Sequence, residues 1–265
     1  MHTVDLNCDL GELEDVPGQT LEDQLLVHVS SVNVACGGHA GSWTRLRQIA
    51  AACVQSGTAF GAHPSYPDRE GFGRRDMQLP PEQLLESLVQ QIQLAGRAAR
   101  DAGLPLAHVK PHGALYNNAC RCVQVADSVI EAVRLAAPDA ALVVLAGSPI
   151  VDRAQQRGVA VLQEVFADRA YAADGTLLPR NLPRAVITEP DAVSQRLIGI
   201  LKTGTIPCAD GSVCIARTDT VCVHSDTPNA LGIVQHLRQA LTEAGIRIAA
   251  IKAPMKDQAR SPLAQ

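Results

Sequence analysis

The sequence predicts an α/β fold in which a parallel sheet is covered by helices, and three observations carry that expectation. Short runs rich in Val, Ile and Ala alternate with helical stretches from one end of the chain to the other, as parallel strands and their crossover helices do. The chain has 265 residues, a length at which barrels of alternating strand and helix form one domain around one large core. Polar and titratable residues gather at the ends of the strands, where parallel α/β folds place their sites.

Strands are predicted near 3–8, 31–36, 58–62, 106–110, 141–146, 159–165, 220–224 and 246–251. Ser42 caps a helix carrying Leu46, Ile49, Ala50 and Cys53, which stops at Gly57. Pro80-Pro81 opens another, with Leu85, Leu88, Val89, Ile92, Ala95 and Ala99 at helical spacing and Gly103 behind. Thr227-Pro228 reads as a cap and first-turn pair before Leu231, Val234, Leu237 and Leu241, with Gly245 past the end. The stretches from His63 to Pro80 and from Arg169 to Pro190 break this rhythm. Both follow strands, and loops that long usually carry function. With no repeat and no linker, a single domain is expected over 1–252, followed by a tail over 253–265.

Bulk properties exclude several classes of function. The net charge is −4 and no basic tract is present, so neither nucleic acid nor an anionic membrane is an expected partner. The first residues, MHTVDLNCDL, lack a basic segment and an apolar one, and the longest apolar run, Ala140 to Ala146, is too short to span a bilayer. The eight cysteines are scattered with no CxxC pair; a core of this size needs no disulfides, and reduced thiols in the cytoplasm are expected.

The strand ends supply the chemistry. The first strand ends in Asp5, Asn7 and Asp9 with Glu12 behind; the second in Cys36-Gly37-Gly38-His39; the third in His63; the fourth in Lys110-Pro111-His112. The sixth adds Glu164, then Asp168 and Arg169, and a late one His224 and Asp226. Any one of these has a bland reading: a lone His after a strand usually bonds backbone, and a carboxylate can serve a helix N-terminus. Repetition at one end of the sheet is what the bland reading fails to cover. Lys110 is one of four lysines; at a strand end it either binds an anionic group or forms an ion pair with a carboxylate such as Asp9 or Glu164. Burial would lower its pKa. Asp9, His39 and His63 form a trio that can hold a metal or move protons without one. No P-loop, GxGxxG, GxSxG or HExxH motif is present.

Five segments, DLNCDLGE (5–12), NVACGGHAG (33–41), GAHPSYPDREGFGRR (61–75), VKPHGALYN (109–117) and EVFADRAY (164–171), resemble in order and spacing the signature segments of the 5-oxoprolinase A-subunit family, also called LamB/YcsF. The resemblance implies a TIM-barrel-like (β/α)7-8 barrel of the glycoside hydrolase/deacetylase type. It also implies ATP-dependent opening of 5-oxo-L-proline to L-glutamate together with subunits B and C, with Mg2+ accompanying the nucleotide. Carried over by position, it makes Asp9, His39, His63, Lys110 and His112 the catalytic set, with Asn7, Glu12, Arg74, Glu164, Asp168 and Arg169 supporting or contacting substrate. No tightly bound metal is expected. Ser42-Trp43 stands where the family usually has Asp-Pro, and VHSDT (223–227) departs from the glycine-containing family version, which sets His224 aside. A metal-dependent deacetylase or amidohydrolase acting alone, and a substrate-delivering subunit without chemistry, are the rival readings.

Overall fold

The structure is a computed structural model describing residues 3–250. Seven parallel strands close on themselves: β1 (Thr3–Leu10), β2 (Ser31–Ala35), β3 (Ala59–His63), β4 (His108–Val109), β5 (Ala141–Leu145), β6 (Val161–Phe166) and β9 (Thr220–Cys222), with β9 pairing to both β6 and β1. Among the described residues eight helices surround the ring: α1 (Val16–Leu26), α2 (Trp43–Ser56), α3 (Pro81–Asp101), α4 (Gly113–Ala119), α5 (Val123–Ala136), α6 (Ile150–Gln156), α7 (Pro190–Thr203) and α8 (Ala230–Glu243). An antiparallel hairpin, β7 (Thr205–Pro207) and β8 (Val213–Ile215), lies between α7 and β9. The architecture is the TIM-barrel-like one expected.

Alternation along each strand separates two environments. On β1, Val4, Leu6, Cys8 and Leu10 join the main apolar core, while Asp5, Asn7 and Asp9 bond side chains of other strands. Lys110, just past β4, reaches Asp9 near the end of β1 and Glu164 on β6. Neither strand neighbours β4, so these contacts cross the lumen. The lumen is therefore polar over much of its wall, with a small apolar patch of Ala141, Val143 and Leu162 opposite. Gly61 on β3 is needed for this packing, since a Cβ there would collide with the His108 ring.

Helix ends follow the expected chemistry at α2, where Ser42 Oγ accepts from the Arg45 amide at 3.2 Å and Gly57 closes with φ 71°. Three expectations are corrected. The eighth predicted strand, near 246–251, is β10 (Arg247–Ile248), which pairs with Thr3 and Val4 and is not a stave of the ring; residue 251 lies outside the described residues. Thr227 does not cap α8. Its hydroxyl donates to Asp168 Oδ2 at 2.6 Å, and the helix starts after Asn229, which takes φ 60°. The β7–β8 hairpin falls in a stretch where the sequence predicts no strand, because its three-residue arms are too short to show an alternation. The expected domain boundary at 252 and the tail over 253–265 lie outside the described residues.

Candidate active site

The ends of β1, β2, β3, β4, β6 and β9 meet at one mouth, and two clusters occupy it. The first is centred on Lys110. Pro111 has no N–H to extend the ladder, so the chain leaves β4 after the Lys110 amide has bonded the Ala62 carbonyl. The ammonium turns into the lumen, 2.8 Å from Glu164 Oε1, 3.1 Å from Asp9 Oδ1, 3.3 Å from Asn7 Oδ1 and 3.1 Å from Cys222 Sγ. Lys110, Asp9 and Glu164 are all buried. Burial opposes the lysine's charge, but Asp9, Cys222 and Glu164 outweigh it and raise its pKa well above the ordinary value. The expected downward shift is thus overturned: Lys110 is a charged ammonium with carboxylate partners. Asn7 ties the cluster together, with Nδ2 donating to Glu164 and to Thr220 Oγ1 and Oδ1 accepting from Asn33 and Lys110.

The second cluster is centred on Glu12. Its Oε1 lies 2.9 Å from His39 Nε2, 3.1 Å from His112 Nδ1 and 3.7 Å from His63 Nε2. His39 and His112 stack with centroids 3.7 Å apart, and His63 stands edge-on to both. Burial works to raise the Glu12 pKa, but the contacts with His112 and His39 hold the carboxyl far below the usual range. Burial also pushes His39 down to about 4 against the pull of Glu12, so it is neutral at pH 7. For His63, burial is outweighed by Asp9, 3.5 Å from Nε2, and the pKa is raised. Burial would raise Asp9, yet His63 and Lys110 keep it well below the ordinary value. Asp9 therefore joins the two clusters.

The remaining expected residues lie around this centre. Asp168 accepts from the His224 amide at 3.3 Å, from His224 Nδ1 at 3.1 Å and from Thr227 Oγ1, so it orients His224 and does not face the cavity itself. Arg169 donates to the carbonyls of Leu178 (2.6 Å) and Ala185 (3.4 Å), and so shapes the 167–189 loop. Burial, then Arg180, pushes its pKa down to about 10. Arg74 pairs with Asp226 at the half-open rim and packs over the Phe72 ring at 4.9 Å. Both long loops contribute to the mouth: Phe72 O accepts from His112, Leu177, Leu178, Pro179 and Arg180 complete the wall, and Arg74 and Arg180 share Asp226. The resulting cavity, about 350 Å3, is lined by Asp9, His63, Lys110 and His112, by the arginines Arg74, Arg121 and Arg180 with the buried Arg169, and by Asp76.

Sequence reasoning missed or set aside several residues here. His224, which the VHSDT departure set aside, lines the cavity and stacks on Phe166 at 5.1 Å. Arg121 and Arg180 gave no signal, because isolated arginines in helix ends and loops read as solvated. Asn33 and His108 share a hydrogen bond of 2.7 Å beneath the mouth; a period-two reading of NVACG and AHVKP would have turned both inward. The trio Asp9, His39 and His63 is not brought together as a ligand set. Instead Glu12, His39, His63 and His112 each offer an atom within 4.8 Å of the others.

Fold and site together define a TIM-barrel-like protein with an acid–base centre at the carboxyl ends of its strands and a cationic rim above it. The sequence model of the LamB/YcsF family matches residues 4–256, and the chain belongs to that family. Among its relatives, proteins named as the A-subunit of 5-oxoprolinase are 43% identical over 247 residues in Heliobacterium modesticaldum (93% of this chain, 97% of the relative) and 41% identical over 249 residues in Pyrococcus horikoshii (94% and 98%). The crystal structure of the lactam utilization protein from Thermus thermophilus matches with a TM-score of 0.86 at 38% identity, covering 94% of this chain and all of that one. Among the described residues no helix is long and apolar enough to cross a membrane.

Proposed function

We propose that this chain is the A-subunit of an ATP-dependent 5-oxoprolinase that opens 5-oxo-L-proline to L-glutamate with subunits B and C. One observation supports it most: the carboxylate–histidine network and Lys110 line one cavity together with four arginines. That juxtaposition suits a small ring bearing anionic groups whose carbonyl carbon must be attacked by water. The names of the relatives agree with this reading.

A lactam is an unreactive amide, and transfer of a phosphoryl group from ATP to its carbonyl oxygen, with departure of ADP, makes the ring carbon electrophilic. Water then adds to that carbon and gives up a proton; the ring C–N bond breaks as nitrogen receives one. A second water releases phosphate from the acyl phosphate, giving glutamate. Asp9, beside His63, takes the proton of the attacking water. The protonated Asp9 returns one to the ring nitrogen, and His63 and His112 hold the reacting atoms in place. Lys110 fixes Asp9 and Glu164 at the base of the cavity, and Arg74 and Arg180 steer the anionic groups. ATP, with its Mg2+, is expected at a site made with the partner subunits, in keeping with the absence of a P-loop.

The test is reconstitution with candidate B and C subunits, following glutamate from 5-oxoproline. Release that needs ATP, all three subunits and an intact His63 is the expected result. Release by this chain alone without ATP would replace the reading with a stand-alone amidohydrolase.

A further inference from the structure

The Glu12 cluster poses a problem of lone pairs. His63 Nδ1 is 2.7 Å from the Lys110 carbonyl and His112 Nε2 is 2.9 Å from the Phe72 carbonyl. A carbonyl oxygen only accepts, so both nitrogens carry the proton. In the neutral rings the other two nitrogens, His63 Nε2 and His112 Nδ1, are then bare. They face each other at 3.1 Å, with Glu12 Oε1 at 3.7 Å from the first and 3.1 Å from the second. Three lone pairs pointing into one small space repel unless something positive lies between them.

The charge around them points the same way. Glu12, Asp9 and Glu164 are buried carboxylates, and among the described residues Lys110 is the one buried ammonium in contact with them. With neutral histidines the cluster carries an excess of two negative charges. The triangle also has the right size. Zinc holds nitrogen and oxygen ligands at about 2.0–2.2 Å, which puts tetrahedral ligand atoms about 3.3–3.5 Å apart, and the three edges here are 3.1, 3.1 and 3.7 Å. Each donor has the outer partner that metal ligands usually have: a carbonyl behind each imidazole, and the His39 Nε2–H on Glu12.

We propose that Glu12 Oε1, His63 Nε2 and His112 Nδ1 bind one divalent transition-metal ion of the zinc class, with His39 as the residue that positions Glu12. Two imidazoles and one carboxylate suit Zn2+, Mn2+, Fe2+, Co2+ or Ni2+ rather than Mg2+ or Ca2+, which take oxygen ligands. Three protein ligands leave a fourth position, and His63 and His112 line the cavity, so that position opens to it. The site replaces two members of the trio read from the sequence: Glu12 takes the place of Asp9, whose Oδ2 lies 3.5 Å from His63 Nε2 but which does not join the set of Glu12, His39, His63 and His112, and His112 that of His39. It also reverses the expectation of no tightly bound metal.

The test is titration of the chelator-treated full chain with Co2+ and, separately, Zn2+. No lactam, ATP or partner protein is used, so its failure and that of the lactam reading are separable. One equivalent bound per chain is expected, with the visible absorption of low-coordinate Co2+ and without a near-ultraviolet thiolate band. Glu12→Gln, His63→Ala and His112→Ala should each weaken binding by roughly a hundredfold or more, and His39→Ala by roughly 10–100-fold. His39→Gln, which keeps an N–H for Glu12, should restore most of the His39→Ala loss. Replacing Cys208 and Cys214 with serine should change nothing. If the histidine variants do not fold, the unmodified chain decides. Absence of tight Co2+ or Zn2+ binding, with a doubly protonated His112 in nitrogen NMR at neutral pH, would overturn the proposal in favour of a shared proton. A thiolate band would place the ion on cysteine and overturn it equally.

Discussion

The floor and the mouth of the barrel are built from the same residue types and treat them in opposite ways. On the floor, Asp5 accepts from Ser30 Oγ (2.6 Å), Ser31 Oγ (2.6 Å) and Thr220 Oγ1 (2.5 Å), and His108 meets Asn33. Every polar side chain in that set has a partner suited to its chemistry, and the side chains lock. At the mouth, His39 Nδ1 and Glu164 Oε2 have no hydrogen-bond partner among the described residues, and His63 Nε2 and His112 Nδ1 face each other at 3.1 Å. A protein meets the hydrogen-bonding needs of buried polar groups where it needs rigidity. Where it leaves them unmet, the groups stay available to a substrate, a proton or an ion.

Substitutions can break that contrast, and Lys110 should do so most, because it belongs to both regions. Lys110→Met leaves Asp9 and Glu164 as unpaired buried carboxylates; glutamate formation should fall to background and unfolding free energy by about 3–5 kcal/mol in denaturant titration. At the mouth proper, His63→Ala should lower turnover by roughly 10²–10⁴-fold. Its unfolding midpoint should move far less than that of Lys110→Met. The floor should behave the other way. Thr220→Val removes the donor to Asp5 and the acceptor of Asn7 and should cost about 1–3 kcal/mol of stability, while turnover changes by a small factor.

A pH titration separates the regions by a subtler effect. Burial, then Lys110, pushes the His108 pKa down to about 3, against an unfolded value near 6.5. Between those values the unfolded chain binds the extra proton. His108 therefore contributes stability that is present above pH 6.5 and lost as pH falls, with a slope of about 1.4 kcal/mol per pH unit. Comparing the unfolding free energy of His108→Gln and the parent chain from neutral pH towards 4 should reveal this slope as a difference. His63, whose pKa is raised, acts in the opposite sense: its contribution is full at low pH and is lost as pH rises through its folded pKa. The smallest effect belongs to the rim. Arg74 and Asp226 are a partly exposed pair, so Arg74→Ala should change stability by less than about 1 kcal/mol and raise KM with kcat unchanged.

The same contrast explains what the sequence revealed. The mouth was legible because its residues follow strands, where Lys110, His112, His39 and His63 interrupt or end apolar runs. Their number at one end of the sheet pointed to a candidate site before any geometry. The floor was hidden: Asp5, Asn33, His108 and Thr220 are single polar residues inside strands, and each alone resembles the polar face of an ordinary amphipathic strand. A barrel lumen turns that face inward, which only ring closure makes visible. Roles within the mouth were not legible either. Glu12 read as a supporting carboxylate because it lies past the end of DLNCDL, yet the turn at Gly11 (φ 78°) carries it to the centre of three histidines. Asp168 and Arg169 follow a strand as the others do, but they bond His224 and the loop carbonyls, and that choice of partner is set by a loop fold that carries no periodic signal.

The most direct measurement is glutamate release from 5-oxoproline with ATP by the reconstituted three-subunit complex, comparing His63→Ala with Thr220→Val in this chain, each confirmed as folded. The mouth variant should be inactive and the floor variant close to the parent rate. Equal activity in the two, or a mouth variant that turns over normally, would contradict the assignment of the chemistry to the mouth of this barrel.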